Sequence, residues 1–455
     1  MNIRDVGGPV IGALCVLSLL PITYLAVTAP WVAVVTVVGI AAALMIWQKP
    51  SAMFGAYLVP LLIGEQALAV LIAQDQGNTV QKLSLILITV LACLMAGVRR
   101  PPATVLMVIA LYGVLLGNSL LTNLEPPQTL TGFLASTAGY LVPWLIFAVD
   151  WRKVSPDVPL RVVSLVPVIA LVLSLLLDAA GVIPLFTSGN FDMSRLGGTL
   201  PPAYLGAAGA FGAIASFWLW LHHKRGSLLT LIFGILVTAA SATRAPVIVA
   251  FFVIVCLLLF TRRTRTRISG VVRAFVLLGL SFAGWQIAPV LIERTTGQDE
   301  YHGDGLSGRN LAWDYFWGRF QEKPWFGHGP GANAVLSQES SIALVREYFI
   351  APHNTYLQLL VDFGLVGALA LTVLIASTFI HVARKSARRE KVLIASLGLS
   401  MAFYAFFDNV LAAPQIYVPM ALILAAFNGM ADKARSAEGM EPRREQLEVE
   451  RVKLR

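Results

Sequence analysis

The chain alternates between long apolar runs and short polar breaks for most of its length. Apolar segments fall near 9–28, 31–48, 54–73, 82–98, 103–121, 130–149, 161–181, 202–221, 227–241, 246–260, 270–290, 354–380, 392–407 and 412–429. Most approach the ~20 residues that a helix rising 1.5 Å per residue needs to cross a hydrocarbon core. The pattern predicts an all-α polytopic membrane protein with 12–14 transmembrane helices. The range reflects two tight pairs. Segments 227–241 and 246–260 are short and separated only by Ala242-Thr243-Arg244-Ala245, so they read as two thin spans or one broken hairpin; the last two segments are also closely linked.

One stretch departs from this rhythm. From 291 to 352 the chain is rich in Arg, His, Asp, Gly and Trp, and it includes SGRNLAWDYFWGRFQEKPWFGHGPG. A stretch of that composition belongs outside the bilayer. The expected organisation is a transmembrane bundle with short loops over 1–290, a large loop or lid with short amphipathic helices over 291–352, C-terminal spans over 353–430 and a basic tail over 431–455.

Composition agrees with the membrane reading: 57% of residues are hydrophobic and 13% charged, against about 25% charged in soluble domains. The net charge of +9 would suit nucleic acid, but its distribution orients the chain instead. Basic clusters occupy alternate breaks, at Arg99-Arg100, Arg152-Lys153, Lys224-Arg225, Arg262 to Arg267 and Arg384 to Lys391, and the tail adds more. Placing them in the cytoplasm satisfies the positive-inside bias. Both termini are then expected in the cytoplasm, with 291–352, the loop 182–201 and the tip at Arg244 on the opposite side. The basic tail suits anionic lipid headgroups. The first apolar segment lacks the features of a cleavable signal and reads as the first span. Cys15, Cys93 and Cys256 lie in apolar segments without metal-ligand spacing and read as packing residues. No phosphate-binding G-x-x-x-x-G-K-[ST] motif is present, so ATP coupling is not encoded and bond formation outside the cytoplasm would need an activated donor.

The polar residues of that outer side are the chemical candidates. Arg244, in SATRAP, sits where an apolar segment begins, with Pro246 close behind. A helix starting there would point a guanidinium and free N–H groups at one anion, phosphate above all; snorkelling to the interface is the alternative. Arg195 precedes Gly197-Gly198 and Pro201-Pro202, again before a helix start, and a salt bridge to Asp192 competes with a phosphate role. Arg309 is the third arginine, and such guanidinium forks on one face make a candidate phosphate clamp. The aromatics after it, Trp313, Tyr315, Phe316, Trp317 and Phe320, read as an interfacial anchor or a platform for sugar rings or a lipid chain. Gly327 and Gly329 lie in a turn whose N–H groups could approach an oxyanion. His353, followed by Asn354 and Tyr356, opens an apolar helix at the outer boundary, where it is placed to act as a general base or to cap the helix. The positive end of that helix would favour its neutral form. His302, His328 and His353 lack the spacing of a zinc site, so no metal is expected. Glu65, Asp178 and Asp362 are acidic residues in apolar segments without an assigned role.

The order Arg195, S-x-T-R at 241–244, S-G-R at 307–309, P-x-x-G-x-G at 324–329 and H-N-x-Y-L at 353–357 resembles the O-antigen ligase and polymerase superfamily, from about 182 to 380. The resemblance implies a GT-C-like glycosyltransferase of lipopolysaccharide biosynthesis in the bacterial inner membrane, with a periplasmic active site. It implies an undecaprenyl-diphosphate-linked glycan donor and a lipid A–core acceptor, with no cofactor and no nucleic acid. Polymerases and protein O-oligosaccharyltransferases share the pattern. His353 and Arg309 would be catalytic; Arg195, Arg244 and Arg309 would bind the diphosphate; Asn354, Tyr356, Gly327 and Gly329 would support them. A lipid-linked glycan transporter is a different class, for which polar residues should line a path through the bilayer.

Overall fold

The computed structural model describes residues 54–62, 74–121, 130–188, 194–260 and 309–453. The chain divides into two compact units, Met1–Gly55 and Ala56–Arg455, and the elements below belong to the second. The expected spans at 9–28, 31–48 and 270–290, most of 54–73, Cys15, Glu65, Asp192, the run Arg262 to Arg267, His302 and Ser307-Gly308 lie outside the described residues.

The helices are α1 (Leu58–Leu62), α2 (Gln74–Ala96), α3 (Ala103–Leu121), α4 (Leu130–Leu145), α5 (Asp157–Ala179), α6 (Pro202–Leu221), α7 (Ser227–Ala240), α8 (Arg244–Phe260), α9 (Arg309–Glu322), α10 (Ala332–Gln338), α11 (Ala343–Tyr348), α12 (Thr355–Lys385), α13 (Arg388–Phe407) and α14 (Pro414–Lys453). Among the described residues six helices are long and apolar enough to cross a membrane: α3, α5, α6, α12, α13 and the Pro414–Ser436 part of α14. The architecture is that of an all-α polytopic membrane protein. Segments 227–241 and 246–260 form two separate helices, α7 and α8. The 182–201 break is not a plain loop: β1 (Phe186–Ser188) and β2 (Ser194–Leu196) form a short antiparallel hairpin with Thr187 opposite Arg195. The basic tail continues α14 without a break through Lys453.

Helix α6 is the hub. It packs on α5, α7, α8 and α14, and nearly every residue from Leu205 to Leu221 is buried. Its small residues explain this. A Cβ placed on Gly209 would lie 2.9 Å from the carbonyl oxygen of Gly234, and one on Gly234 would lie 2.8 Å from the amide nitrogen of Ala213. The α6 and α7 backbones therefore touch. In hydrocarbon, where burial against lipid brings no hydrophobic gain, such close van der Waals approach drives helix association. Outward positions such as Val114 on α3 and Leu229 and Leu236 on α7 are exposed, as lipid-facing surface should be.

The segment before α12 has its own core. Ala312, Phe316 and Phe320 of α9 pack with Ala332, Leu336, Val345 and Phe349, and this cluster runs into Leu357 and Val361 of α12. The aromatic run therefore divides. Phe316 and Phe320 fill the interior of the 309–352 segment, part of the lid expected from the sequence, whereas Trp317, Trp325 and Phe326 are exposed, which suits an interfacial anchor.

Replacing Gly234 by Val should force α6 and α7 apart. The expected cost is about 3 kcal/mol, the upper part of the range for overpacking, read as a fall of several degrees in the melting temperature of detergent-solubilised protein; an unchanged melt would show that the two backbones have room between them.

Candidate active site

Arg195 is held on the tip between α7 and α8. Its Nε donates to the carbonyl of Ser241 at 3.2 Å and its Nη2 to Thr243 Oγ1 at 3.0 Å. Thr243 Oγ1 in turn donates to the carbonyl of Pro202 at the start of α6. Ala242 takes a positive φ of 50° to make this turn. Arg244 follows in the first turn of α8, half-buried. The S-x-T-R motif thus works as a knot: its Ser and Thr hold Arg195 beside the helix start that carries Arg244.

His353 forms a second cluster. Its Nδ1 lies 3.2 Å from Asp408 Oδ1, and its side chain is 36% exposed against 11% for Asp408. Asp408 follows the last residue of α13 and is clasped to the start of α12: Thr355 Oγ1 donates to its carbonyl at 2.7 Å and accepts from the amide of Val410 at 2.9 Å. Arg309 Nη1 donates to the carbonyl of Phe407 at 3.0 Å, one residue away. Burial alone would raise the Asp408 carboxyl. The hydrogen bond and charge of His353, the amide of Asn409 and the charge of Arg309 outweigh it and hold the group below the usual carboxylate range. Donation from Nδ1–H to Asp408 would leave Nε2 as the ring nitrogen available to another partner. Asn354 caps α12 by accepting from the amide of Leu357 at 3.1 Å, and the Tyr356 hydroxyl donates to the carbonyl of Ala402 at 2.9 Å. Asp408 had no place among the sequence candidates. An acid between two tightly linked apolar segments is the signal that marks it.

Both clusters occupy one end of the bundle. Helix α8 begins at Arg244 and α13 ends at Phe407, and they pack on one another. Between them lies an apolar groove of about 390 Å³, lined by Ile248, Val249 and Phe252 of α8 and Leu399, Ser400, Ala402 and Phe403 of α13. Ile248 is one turn from Arg244, and Phe403 is one turn from Phe407, whose carbonyl Arg309 holds.

In the glycine turn the amides of Gly327 and Gly329 go to backbone carbonyls, and the amide of Gly331 goes to the Asp362 carboxyl. Helix α12 breaks at Gly364, where φ is 65° and ψ −174°. The break removes the helical bonds from Leu365 and Val366 back to Val361 and Asp362. The turn replaces them: Leu365 N donates to Pro324 O (2.7 Å) and Val366 N to Trp325 O (3.3 Å), while His328 N donates to Val361 O (2.8 Å) and Gly329 N to Asp362 O (2.8 Å). The Gly327 amide is taken by Lys323 O. Only glycine fits on either side, because a Cβ at Gly364 would lie 2.3 Å from the Trp325 carbonyl and one at Gly327 would lie 2.6 Å from that of Asp362.

Asp362 completes this junction. It is fully buried and accepts from the Tyr140 hydroxyl of α4 at 2.6 Å and from Asn333 Nδ2 of α10 at 2.5 Å. His328 is also buried, with Nε2 2.8 Å from the carbonyl of Arg319. Asp178 Oδ1 accepts from the amide of Leu185 before the hairpin, a local structural contact.

The family model for O-antigen ligase matches residues 228–372. That match supports an assignment to the O-antigen ligase superfamily. The matched stretch carries the Arg244 tip, the lid, His353 and the Asp362 junction; Arg195 and Asp408 lie outside it. No curated protein matches the chain. The match covers under half of the chain, and the six helices among the described residues that are long and apolar enough to cross a membrane indicate, with it, a multi-pass membrane protein.

Asp362→Ala should loosen the lid. It leaves the Tyr140 hydroxyl and the Asn333 amide buried without an acceptor, at about 3 kcal/mol in total. Trypsin cleavage within the lid, at Arg319, Lys323 or Arg346, is expected to quicken severalfold; cleavage at the wild-type rate would show that the lid is held elsewhere.

Proposed function

We propose that the protein transfers an O-antigen glycan from undecaprenyl diphosphate to the lipid A–core oligosaccharide on the periplasmic face of the bacterial inner membrane. The observation that carries this reading is the His353–Asp408 pair. It provides an oriented, outward-facing base at the same end of the bundle as Arg195, Arg244 and Arg309 and at the mouth of an apolar groove.

In this mechanism the polyprenyl tail lies in the groove between α8 and α13 with its diphosphate at the arginine-lined mouth. The first turn of α8 adds partial positive charge there. His353 Nε2 takes the proton of an acceptor hydroxyl as its oxygen attacks the anomeric carbon. The bond from that carbon to the phosphate oxygen breaks, and the diphosphate leaves with the electron pair. A single displacement inverts the anomeric centre. Asp408 stabilises the imidazolium that forms and keeps the ring in its working tautomer. The arginines neutralise charge that grows on the leaving group, the place where fixed positive groups accelerate a reaction most. With that charge met by guanidinium groups, the reaction is expected to need neither metal nor ATP.

Reconstitution with both lipid substrates tests the reading. New high-mass lipopolysaccharide, formed in excess EDTA, is expected. Chain growth without the core acceptor would instead identify a polymerase, and movement of the donor without bond formation a transporter.

Arg309→Ala and Arg244→Ala should each lower turnover at least ~10³-fold, the lower figure for arginine on transferring phosphoryl groups, while the protein stays folded in detergent. Asp408→Asn should lower kcat by about 10²–10⁴-fold, the span of general base catalysis, with donor binding by equilibrium dialysis unchanged; equal loss of binding and turnover would make the pair structural. Stability gives an independent sign. The Asp408 carboxyl is held below the ~3.9 of a free aspartate, so its contribution to folding is complete above that value and is lost as pH falls through the lower folded one. Acid unfolding curves of wild type and D408N should therefore converge at low pH.

A further inference from the structure

A second groove lies beside His353, between α9 and the first turns of α12. It measures about 300 Å³ and is lined by Trp313, Asp314 and Trp317 on one side and Asn354, Tyr356, Leu357 and Leu360 on the other. We propose that it binds a sugar ring of the acceptor, next to the base that activates the acceptor hydroxyl. The inference rests on the transfer reaction above and names the acceptor's place in it.

The argument begins with the indoles. Trp313 and Trp317 are four residues apart on α9, one helical turn, so both present to the same side. Trp313 is fixed in orientation: its Nε1 donates to the carbonyl of Pro352 at 2.8 Å, and its ring meets Phe406 edge-on at 5.6 Å. That bond attaches the aromatic wall to the residue immediately before His353. Trp317 packs on Phe320 at 5.1 Å yet stays 48% exposed. It is a large flat surface left open at one edge of the groove.

The remaining lining residues suit a pyranose better than a lipid. A pyranose has apolar C–H faces and a rim of hydroxyls. Here Leu357 and Leu360 form an apolar floor and the indoles a flat wall, with an exposed carboxylate, Asp314, at the edge. Asp314 can accept from two hydroxyls. Asn354 uses Oδ1 for its cap, which leaves Nδ2 as a donor, and the Tyr356 oxygen, which donates to Ala402, can still accept. A few polar groups among apolar walls, at the small end of ligand-site volumes, fits about one or two sugar rings. A phosphate-bearing headgroup would meet the Asp314 carboxylate with no cation among the lining residues.

The two grooves also stand in the right relation. Ala402 lines the apolar one and Tyr356 the aromatic one, and the hydrogen bond between them joins the two. A donor tail on one side and an acceptor ring on the other would bring their reacting ends together at His353.

The test separates acceptor from donor. Trp317→Ala should raise the acceptor KM about tenfold, a loss of roughly one decade in affinity, with kcat and donor KM within twofold of wild type. Trp317→Phe should restore most of the loss, and Asp314→Asn should raise acceptor KM alone. An unchanged acceptor KM, or a raised donor KM, would overturn the proposal. Direct binding of delipidated core oligosaccharide, followed by saturation-transfer NMR, separates this failure from failure of the proposed reaction. Binding that is lost in W317A without any transfer would sink the reaction and keep the groove. Transfer with wild-type oligosaccharide binding in W317A would keep the reaction and sink the groove. Displacement of the oligosaccharide by phosphatidylglycerol vesicles would make the groove a lipid site.

Discussion

A spanning helix that breaks must find partners for the backbone groups the break releases, because hydrocarbon offers none. In this protein the partners of α12 come from the turn at Pro324 to Gly331, in the segment that precedes the helix. Two amides and two carbonyls of α12 exchange four hydrogen bonds with that turn around Gly364. Such an exchange cannot be partial. Lifting the turn would leave all four groups exposed inside the bundle, at a cost of about 1–3 kcal/mol each. The lid and the span are therefore one structural unit, and the buried Asp362 ties α4 and α10 into it.

The same junction aims the proposed base. The helical segment from Thr355 to the break at Gly364 spans about 13 Å at 1.5 Å per residue, with His353 just beyond its free end. A change of ~20° at the kink, the size that counts as sharp in a helix, would move that end by several ångströms, farther than the 3.2 Å that separates Nδ1 from Asp408. The geometry of the His353–Asp408 pair thus depends on contacts near Gly364, at the opposite end of this segment.

The six helices long and apolar enough to cross a membrane among the described residues could be read directly, since a run of about twenty apolar residues has few other uses, and the boundary positions of Arg244 and His353 followed from the same pattern. What could not be read depended on long-range contact. The Ser241 and Thr243 grip on Arg195, the placement of Asp408 against His353 and the meeting of Gly327 with Gly364 each join residues far apart in sequence. A glycine-rich turn offers the same signature whether its amides face a carboxylate or a broken helix, and this one meets both, at Asp362 and around Gly364. Phe316 and Trp317, adjacent in sequence, had to be assigned to opposite sides of a helix whose partner was unknown, so the aromatic run gave no division between core and surface.

His353 itself shows how these contacts combine. Its φ of 48° is a left-handed conformation that costs a non-glycine residue about 1–3 kcal/mol and persists only where surroundings over-determine it. Here three do. The carbonyl before it is held by Trp313, the residue after it caps α12, and its ring is held by Asp408. The first of these belongs to the lid, the second to the span and the third to the end of α13. Loss of the lid contact would leave the strained backbone of His353 held by the Asn354 cap and Asp408 alone. The segment before α12 thus helps to fix His353, because Trp313 holds the carbonyl that immediately precedes it.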